Sequence, residues 1–246
     1  MIRWTWAFLD RPRESFDACV RFWSTVTGTT PSSRRGEHGE FLTLLPDPGT
    51  GASPAVKMQA VGGPGGTHLD FDVDDIPAAR AAALRLGAAV VADHPDHTVL
   101  RSPGGLSFCL TPATPGPLAL PTAVAAPDGT RSRLDQICLD IGPSGHAAEV
   151  AFWQALTGWE FVAGRLPEFS RLRAAAPMAH QLLLQRVGDE RPVAAHIDLS
   201  CDDIEAGAAW HESLGATVLA RFEHWIVLSD PAGVAYCVTG RDPNGV

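Results

Sequence analysis

Several short motifs that mark common enzyme classes are missing from this sequence. There is no GxGxxG after a predicted strand, no P-loop, no HExxH and no GxSxG. The sequence therefore gives no sign of the dinucleotide, nucleoside-triphosphate, zinc-protease or serine-hydrolase chemistry that these motifs serve. The glycine-rich run at 62–66 leads into a strand rather than a helix, which excludes a phosphate cradle built on a helix N-terminus.

Positive charge and long apolar runs are also scarce. The chain has 19 basic and 28 acidic residues. Nucleic acids and anionic membranes attract basic surfaces, so this charge balance argues against both as partners. No run approaches the ~18 apolar residues of a transmembrane helix, and the apolar stretch at the N-terminus is too short for a secretory signal. The five cysteines are odd in number and lack CxxC spacing, which is typical of buried free thiols in a reducing compartment. We therefore expect a cytoplasmic protein.

The sequence does contain an internal repeat. Residues 68–76 read HLDFDVDDI and residues 196–204 read HIDLSCDDI, an offset of 128 residues. Matching leucine, glycine, cysteine and threonine positions follow at the same offset, so the chain consists of two homologous halves. We assign them to domains at 1–115 and 132–246. The segment between them, 116–131, is rich in proline and alanine and is predicted to be an extended, semi-rigid linker.

Each half shows the same order of predicted elements, βαβββ repeated twice. Helical spacing of apolar residues predicts the first helix of each half, and paired aspartates predict N-caps for the second. Short apolar runs bounded by turn residues predict the strands. The predicted helices cover 13–27 and 145–157 and those that follow Asp74-Asp75 and Asp202-Asp203. The predicted strands cover 2–9, 39–45, 55–61, 67–73, 89–92, 97–101 and 106–111 in the first half, and 133–141, 167–173, 180–187, 195–201, 217–221, 224–228 and 234–239 in the second.

The repeated residues resemble those of a known superfamily. An FW…TG pattern ends the first helix, H-x-D-x-x-x-D-D joins a strand to the second helix, L-G-A-x-V follows, and V-L-x-S/D-P-x-G-x-x-F/Y-C forms the last strands. Together they resemble the vicinal oxygen chelate superfamily of glyoxalase I, extradiol dioxygenases and bleomycin-resistance proteins, and within it an actinobacterial glyoxalase-like subgroup. The resemblance implies an α+β fold with two tandem glyoxalase/bleomycin-resistance-like domains. Each would consist of paired βαβββ modules that form a curved, open, mixed sheet with a concave cleft.

The resemblance also implies four inward-facing positions in each half, where the family holds a metal or a ligand. Metal-dependent members carry His, Glu or Gln there, with a carboxylate on the last strand, because a divalent ion needs anionic oxygen. Here both last-strand positions hold cysteine, and the first position of the first half is a tryptophan, which cannot coordinate. The candidate ligand-binding residues are Trp6, Gln59, His68 and Cys109 in the first half, and Gln136, Gln185, His196 and Cys237 in the second.

These substitutions lead us to expect no cofactor, with one alternative. A divalent metal in the second half could bind Gln136, Gln185, His196 and Cys237. The catalytic candidates are His196 and Asp198, because they have the same strand parity and could face one side as a general base or an orienting pair.

Structural roles also account for several of these residues. Cys109 and Cys237 lie in short apolar strands, where cysteine behaves as a small hydrophobe. The histidine of each half could hydrogen-bond the neighbouring glutamine as a buried polar pair. Trp6 is either a core residue or the floor of a pocket for an aromatic ligand.

The sequence favours a protein that binds a small apolar or aromatic organic molecule in its clefts without the full family metal site. One alternative is a metal-dependent lyase, isomerase or dioxygenase with one active site in the second half. The other is a structural or partner-binding module with filled clefts. We expect no nucleic-acid or membrane partner. A tandem chain satisfies internally the pairing that single-domain relatives achieve by dimerising, so we expect a monomer with an internal pseudo-dimer, or a homodimer.

Overall fold

The computed structural model describes residues 1–245, and over that range the first half of the chain forms an open, mixed sheet of eight strands. The strands are β1 (Ile2–Pro12), β2 (Thr29–Pro31), β3 (Phe41–Pro46), β4 (Val56–Val61), β5 (Gly66–Val73), β6 (Ala89–Asp93), β7 (Thr98–Arg101) and β8 (Ser107–Pro112). Their order across the sheet is β2-β3-β4-β1-β5-β8-β7-β6. β5 and β8 run parallel, whereas β3 and β4, and β7 and β8, are antiparallel.

The second half repeats this sheet strand for strand. Its strands are β9 (Val124–Ala125), β10 (Arg131–Ile141), β11 (Glu160–Ala163), β12 (Phe169–Arg173), β13 (Gln181–Arg186), β14 (Ala194–Cys201), β15 (Thr217–Arg221), β16 (Trp225–Ser229) and β17 (Ala235–Thr239). The order is β11-β12-β13-β10-β14-β17-β16-β15, with β9 paired to β10 outside this path. The α+β fold of two tandem, doubled βαβββ domains is therefore confirmed.

Residues 1–245 contain four α-helices, one after the first strand of every module: α1 (Phe16–Val26), α2 (Ile76–Arg85), α3 (His146–Thr157) and α4 (Ile204–Ser213). One aspartate of each predicted capping pair caps its helix. Asp75 Oδ1 accepts the Ala78 N–H at 2.8 Å, and Asp203 Oδ1 accepts the Ala206 N–H at 3.0 Å. No helix within these 245 residues is both long enough and apolar enough to cross a membrane.

Three short strands lie outside the predicted elements. β2 and β11 are edge strands whose residues are mostly exposed, so they lack the alternation of buried and exposed positions that predicts a strand. β9 lies within the predicted linker and pairs Val124 with Ser132. A second backbone hydrogen bond anchors the predicted linker: the Ser53 N–H donates to the Ala119 carbonyl at 2.9 Å.

Backbone contacts divide the chain into two compact units, and each unit takes segments from both halves. Unit 1 comprises Met1–Ala7, His68–Pro117 and Ile137–Ala195; unit 2 comprises Phe8–Thr67, Leu118–Gln136 and the segment from His196 onward. Each unit thus combines one βαβββ module of the first half with one module of the second. The domain boundaries at 115 and 132 remain a prediction.

The core of unit 1 surrounds Trp153, which is fully buried. Its ring packs edge-on against Phe108, with 5.1 Å between centroids. Its indole N–H donates to Glu149 Oε2 at 2.7 Å, and the other oxygen of Glu149 accepts the Gly104 N–H. A buried carboxylate therefore satisfies both the indole and a backbone donor from the other half of the chain.

The core of unit 2 surrounds Trp23, which is also fully buried. Its indole N–H donates to Asp230 Oδ2 at 2.9 Å, and the same carboxylate forms an ion pair with the buried Arg11. Tyr236 packs edge-on against Trp23 at 4.9 Å, and its hydroxyl lies 3.0 Å from Nδ1 of His211. Burial lowers the pKa of His211 to about 4.

Candidate functional site

Two parallel strands of the second half bring His196, Asp198 and Cys237 together. β14 carries the histidine and the aspartate two residues apart, and the register with β17 places Asp198 opposite Cys237. His196 Nε2 lies 3.3 Å from Asp198 Oδ1 and 3.6 Å from Cys237 Sγ. The shared strand parity of His196 and Asp198 therefore puts both side chains on one face of the sheet, as predicted, and the parallel pairing adds the thiol.

The contacts of this cluster meet at a single ring nitrogen. In a nucleophilic triad the carboxylate orients one imidazole nitrogen while the other nitrogen contacts the nucleophile. Here Asp198 and Cys237 both approach Nε2 of His196. This geometry is compatible with three ligands around one cation and differs from that of a nucleophilic triad.

The donor atoms fit a tetrahedral transition-metal ion. With bonds of about 2.0 Å to nitrogen or oxygen and about 2.3 Å to sulfur, neighbouring ligand atoms stand ~3.3–3.5 Å apart. The two measured separations of 3.3 and 3.6 Å are close to these values, and the three atoms all lie within 4.8 Å of one another. Asp198 is 2% exposed, and its Oδ1 makes no hydrogen bond within residues 1–245. Its polar neighbour is His196 Nε2 at 3.3 Å, and a cation held between the two atoms would satisfy both.

The first half repeats the cluster with His68, Asp70 and Cys109. β5 and β8 are parallel and place Asp70 opposite Cys109. His68 Nε2 lies 3.6 Å from Asp70 Oδ1, and the three donor atoms lie within 4.8 Å of one another. The prediction that no cofactor is bound is not supported, because both halves assemble residues of metal-binding type.

The tryptophan at the first position of the first half lies beside this face of the sheet. Trp6 is half-buried, and its indole N–H donates to Asp72 Oδ1 at 3.0 Å. Asp72 was missed by the sequence analysis. The signal was available in the alternation of HLDFD, which gives Asp72 the same parity as His68 and Asp70. A role for Trp6 as the floor of a ligand pocket remains a prediction.

The three glutamines of the predicted set occupy separate strands. Gln136 is 3% exposed on β10, the neighbour of β14. Gln59 lies on β4 opposite Phe41. Gln185 lies on β13, where its Oε1 accepts a hydrogen bond from the thiol of Cys138 at 3.6 Å. The predicted histidine–glutamine hydrogen bonds and the metal role of the glutamines remain predictions.

Comparison with known protein families identifies the family to which the chain belongs. The sequence model of a family described as Glyoxalase-like domain matches residues 6–111 and, separately, residues 136–239. The chain belongs to this glyoxalase-like family. The two matches coincide with the two repeats, so each half of the glyoxalase-like chain is one copy of the family's domain. A comparison with curated proteins gives no significant match.

Solved structures similar to this glyoxalase-like chain share its fold at low sequence identity. The Mn(II)-bound glyoxalase from Novosphingobium aromaticivorans has a TM-score of 0.64 and 17% identity, over 96% of this chain and 82% of that one. The 2,2',3-trihydroxybiphenyl 1,2-dioxygenase from Sphingomonas wittichii strain RW1 has a TM-score of 0.65 and 14% identity, over 97% and 90%. The 2,3-dioxygenase LapB from Pseudomonas sp. KL28 has a TM-score of 0.63 and 14% identity, over 97% and 92%. These likenesses establish the vicinal oxygen chelate fold.

Proposed function

We propose that this glyoxalase-like chain is a metal-dependent enzyme whose active site is the cluster of His196, Asp198 and Cys237. One observation carries the proposal: three donor atoms of metal-binding type converge in unit 2, and one of them is a buried carboxylate oxygen without a hydrogen bond within residues 1–245. The proposal retains His196 and Cys237 from the predicted metal set. It adds Asp198 as the carboxylate that the last strand lacks.

The three side chains have complementary roles at such a site. Asp198 and the thiolate of Cys237 supply two negative charges, which balance a divalent cation, and His196 supplies a neutral donor. When bound, the ion supplies a Lewis acid that polarises a substrate oxygen. Gln136 on the neighbouring strand β10 has an amide that can both donate and accept hydrogen bonds, and we assign it to orienting the substrate.

The substrate class we assign is a small organic molecule with two adjacent oxygen atoms, the chemistry from which the vicinal oxygen chelate superfamily takes its name. The reaction class is that of a lyase, an isomerase or a dioxygenase. A thiolate ligand favours zinc, iron(II) or cobalt over manganese or magnesium, because manganese and magnesium prefer oxygen ligands. We therefore expect a different metal preference from the manganese named for the Novosphingobium glyoxalase.

Cobalt substitution tests the site directly. A Co²⁺ ion bound by a thiolate gives a near-ultraviolet charge-transfer band, so the full chain titrated with Co²⁺ should develop this band. Cys237→Ser should lose the second-half contribution, and Asp198→Asn should weaken it at least tenfold. Cys201→Ser is the matched control. Cys201 is a buried cysteine at the end of β14, the strand that carries His196 and Asp198, and its replacement should leave the band unchanged.

The proposal fails if purified protein takes up neither cobalt nor zinc, or if Cys237→Ser and Cys201→Ser behave alike. Turnover of compounds with adjacent oxygens, such as catechols and hydroxyketones, then tests the reaction class. Activity that depends on added zinc, iron(II) or cobalt, and that disappears in Asp198→Asn, is the expected result.

A second candidate function is the binding of a small apolar molecule, and a cavity in unit 1 favours it. The cavity has a volume of about 450 Å³, and its lining includes Val73, Ala82, Leu110 and Trp159. This size suits a small organic ligand, although none of the eight predicted ligand-binding residues lines it.

A fluorescent apolar dye tests this cavity. Ala82→Leu should fill part of it and weaken binding of the dye several-fold. Ala81→Leu, at an exposed position of the same helix outside the cavity, should not change binding. Equal affinity of the two variants would exclude the cavity as the binding site.

A further inference from the structure

We propose that the first half carries a second metal site, built from His68, Asp70 and Cys109, so that the chain binds two transition-metal ions. The inference extends the metal chemistry of the proposed function to different residues in unit 1. Because the two clusters share no residue, either assignment can fail while the other holds.

The geometry of the first-half cluster comes from the parallel pairing of β5 and β8. Asp70 stands opposite Cys109, and His68 precedes Asp70 by two residues on the same face. All three donor atoms lie within 4.8 Å of one another, and 3.6 Å separates His68 Nε2 from Asp70 Oδ1. An imidazole, a carboxylate and a thiolate form a donor set that a zinc-class ion accepts.

Burial makes a cation favourable at this point. Asp70 is 2% exposed and Cys109 is 8% exposed. Charge on a buried carboxylate or thiolate costs free energy unless an opposite charge is nearby. A divalent ion between the two side chains offsets that cost.

The first-half site also has an additional carboxylate beside it. Asp72 is 2% exposed and accepts hydrogen bonds from Trp6 Nε1 at 3.0 Å, Thr111 Oγ1 at 2.8 Å and Thr114 Oγ1 at 3.2 Å. All three donors are neutral groups, and the carboxylate of Asp72 lies two residues from Asp70 on the same strand. The equivalent position in the second half is Ser200.

These differences assign separate roles to the two ions. The additional carboxylate beside the first-half cluster, absent from the second half, makes the first-half site the tighter of the two for a divalent cation. Trp6 replaces the amide of Gln136, and its indole N–H donates to Asp72, whereas the Gln136 amide can both donate to and accept from a substrate. We therefore infer a tightly held, non-catalytic ion in the first half and an exchangeable, catalytic ion in the second.

Metal stoichiometry tests the inference. Full-length protein freed of metal should bind two equivalents of Co²⁺, and Cys109→Ser and Cys237→Ser should each bind one. The double variant should bind none. Cys19→Ser and Cys201→Ser are the controls, since both cysteines are buried outside the clusters, and each should still bind two equivalents.

Each outcome has a distinct meaning. One equivalent that is lost only in Cys237→Ser overturns the second site and leaves the proposed function standing. One equivalent that is lost only in Cys109→Ser supports the second site and overturns the proposed active site. No uptake at all overturns both.

A second measurement covers the case in which Cys109→Ser does not fold. Asp70→Asn keeps the shape of the side chain and should lower the affinity of one cobalt equivalent at least tenfold. Bound cobalt should also quench Trp6 emission, so Trp6→Phe should remove part of the quenching by the tighter equivalent. Unchanged affinity in Asp70→Asn together with unchanged quenching in Trp6→Phe contradicts the proposal.

Discussion

Trp23 donates its indole N–H to Asp230 over 2.9 Å, although 207 residues separate them in the chain. Its repeat counterpart Trp153 donates instead to Glu149, four residues before it on the same helix. Both unit cores thus place a buried carboxylate at the indole, but the carboxylate comes from the last module in unit 2 and from the tryptophan's own helix in unit 1. The duplicated halves have therefore diverged in the residues that join them.

The first prediction concerns the carboxylate of Asp230. Asp230→Asn leaves the buried guanidinium of Arg11 without its charge partner, and we expect a loss of about 3–5 kcal/mol in unfolding free energy. Urea denaturation measures it. The control is Asp93→Asn, which breaks an exposed ion pair with Arg80 and should cost less than about 1 kcal/mol. Similar losses in the two variants would show that burial of the pair is not the cause.

The second prediction concerns stability at low pH. Burial lowers the pKa of His211 from its ordinary 6.5 to about 4, so the unfolded chain takes up this proton at a higher pH than the folded chain. Folding stability should therefore fall as pH decreases from about 6.5 to about 4, by at most ~3 kcal/mol from this group.

Denaturation at several pH values tests that slope. His211→Ala, which copies Ala83 of the first half, should make the stability less dependent on pH in this window. His224→Ala removes an exposed histidine and should leave the slope unchanged. A slope that persists in His211→Ala assigns the effect to another group.

The third prediction concerns the choice of metal. Cys237→Glu replaces the thiol with a carboxylate, the group that the family resemblance implies at this position in a metal-dependent member. The preference of the second-half site should shift from zinc toward manganese by at least about tenfold, because manganese prefers oxygen ligands. Competition between the two ions measures the shift. Cys237→Ser, which removes the thiolate without adding a carboxylate, should lose affinity for zinc without gaining affinity for manganese.

The fourth prediction concerns the carboxylate beside the first-half cluster. Asp72→Ser copies Ser200 of the second half, removes the carboxylate beside the cluster and should weaken the tighter cobalt equivalent about tenfold. Ser200→Asp makes the reciprocal change and should strengthen the weaker equivalent. If both variants retain the wild-type affinities, the carboxylate of Asp72 does not distinguish the two sites.

Features that depend on local periodicity were predictable from the sequence. The repeat predicted the order of elements, helical spacing predicted the first helix of each half, and two-residue parity placed Asp198 on the same side as His196. Each of these rests on residues close in sequence, where the period of a helix or strand determines which side chains share a face.

Features that depend on distant pairing were not predictable. The family resemblance placed Cys237 and His196 in one candidate set, but their approach requires the register between β14 and β17, which no local pattern specifies. The strand β9 has two residues, too few for any alternation. The composition of each unit from both halves depends on contacts such as Arg11 with Asp230, for which neither residue carries a sequence signal.

The mixed composition of the two units has a consequence for fragments of this protein. A cut between 116 and 131 leaves two pieces. Each piece contains one module from unit 1 and one from unit 2, and therefore no complete unit. Each piece alone would expose the aromatic surface that packs around Trp23 or Trp153. Co-expressed pieces would hide that surface only by associating with each other, so the two halves should behave as complementing partners rather than as independent proteins.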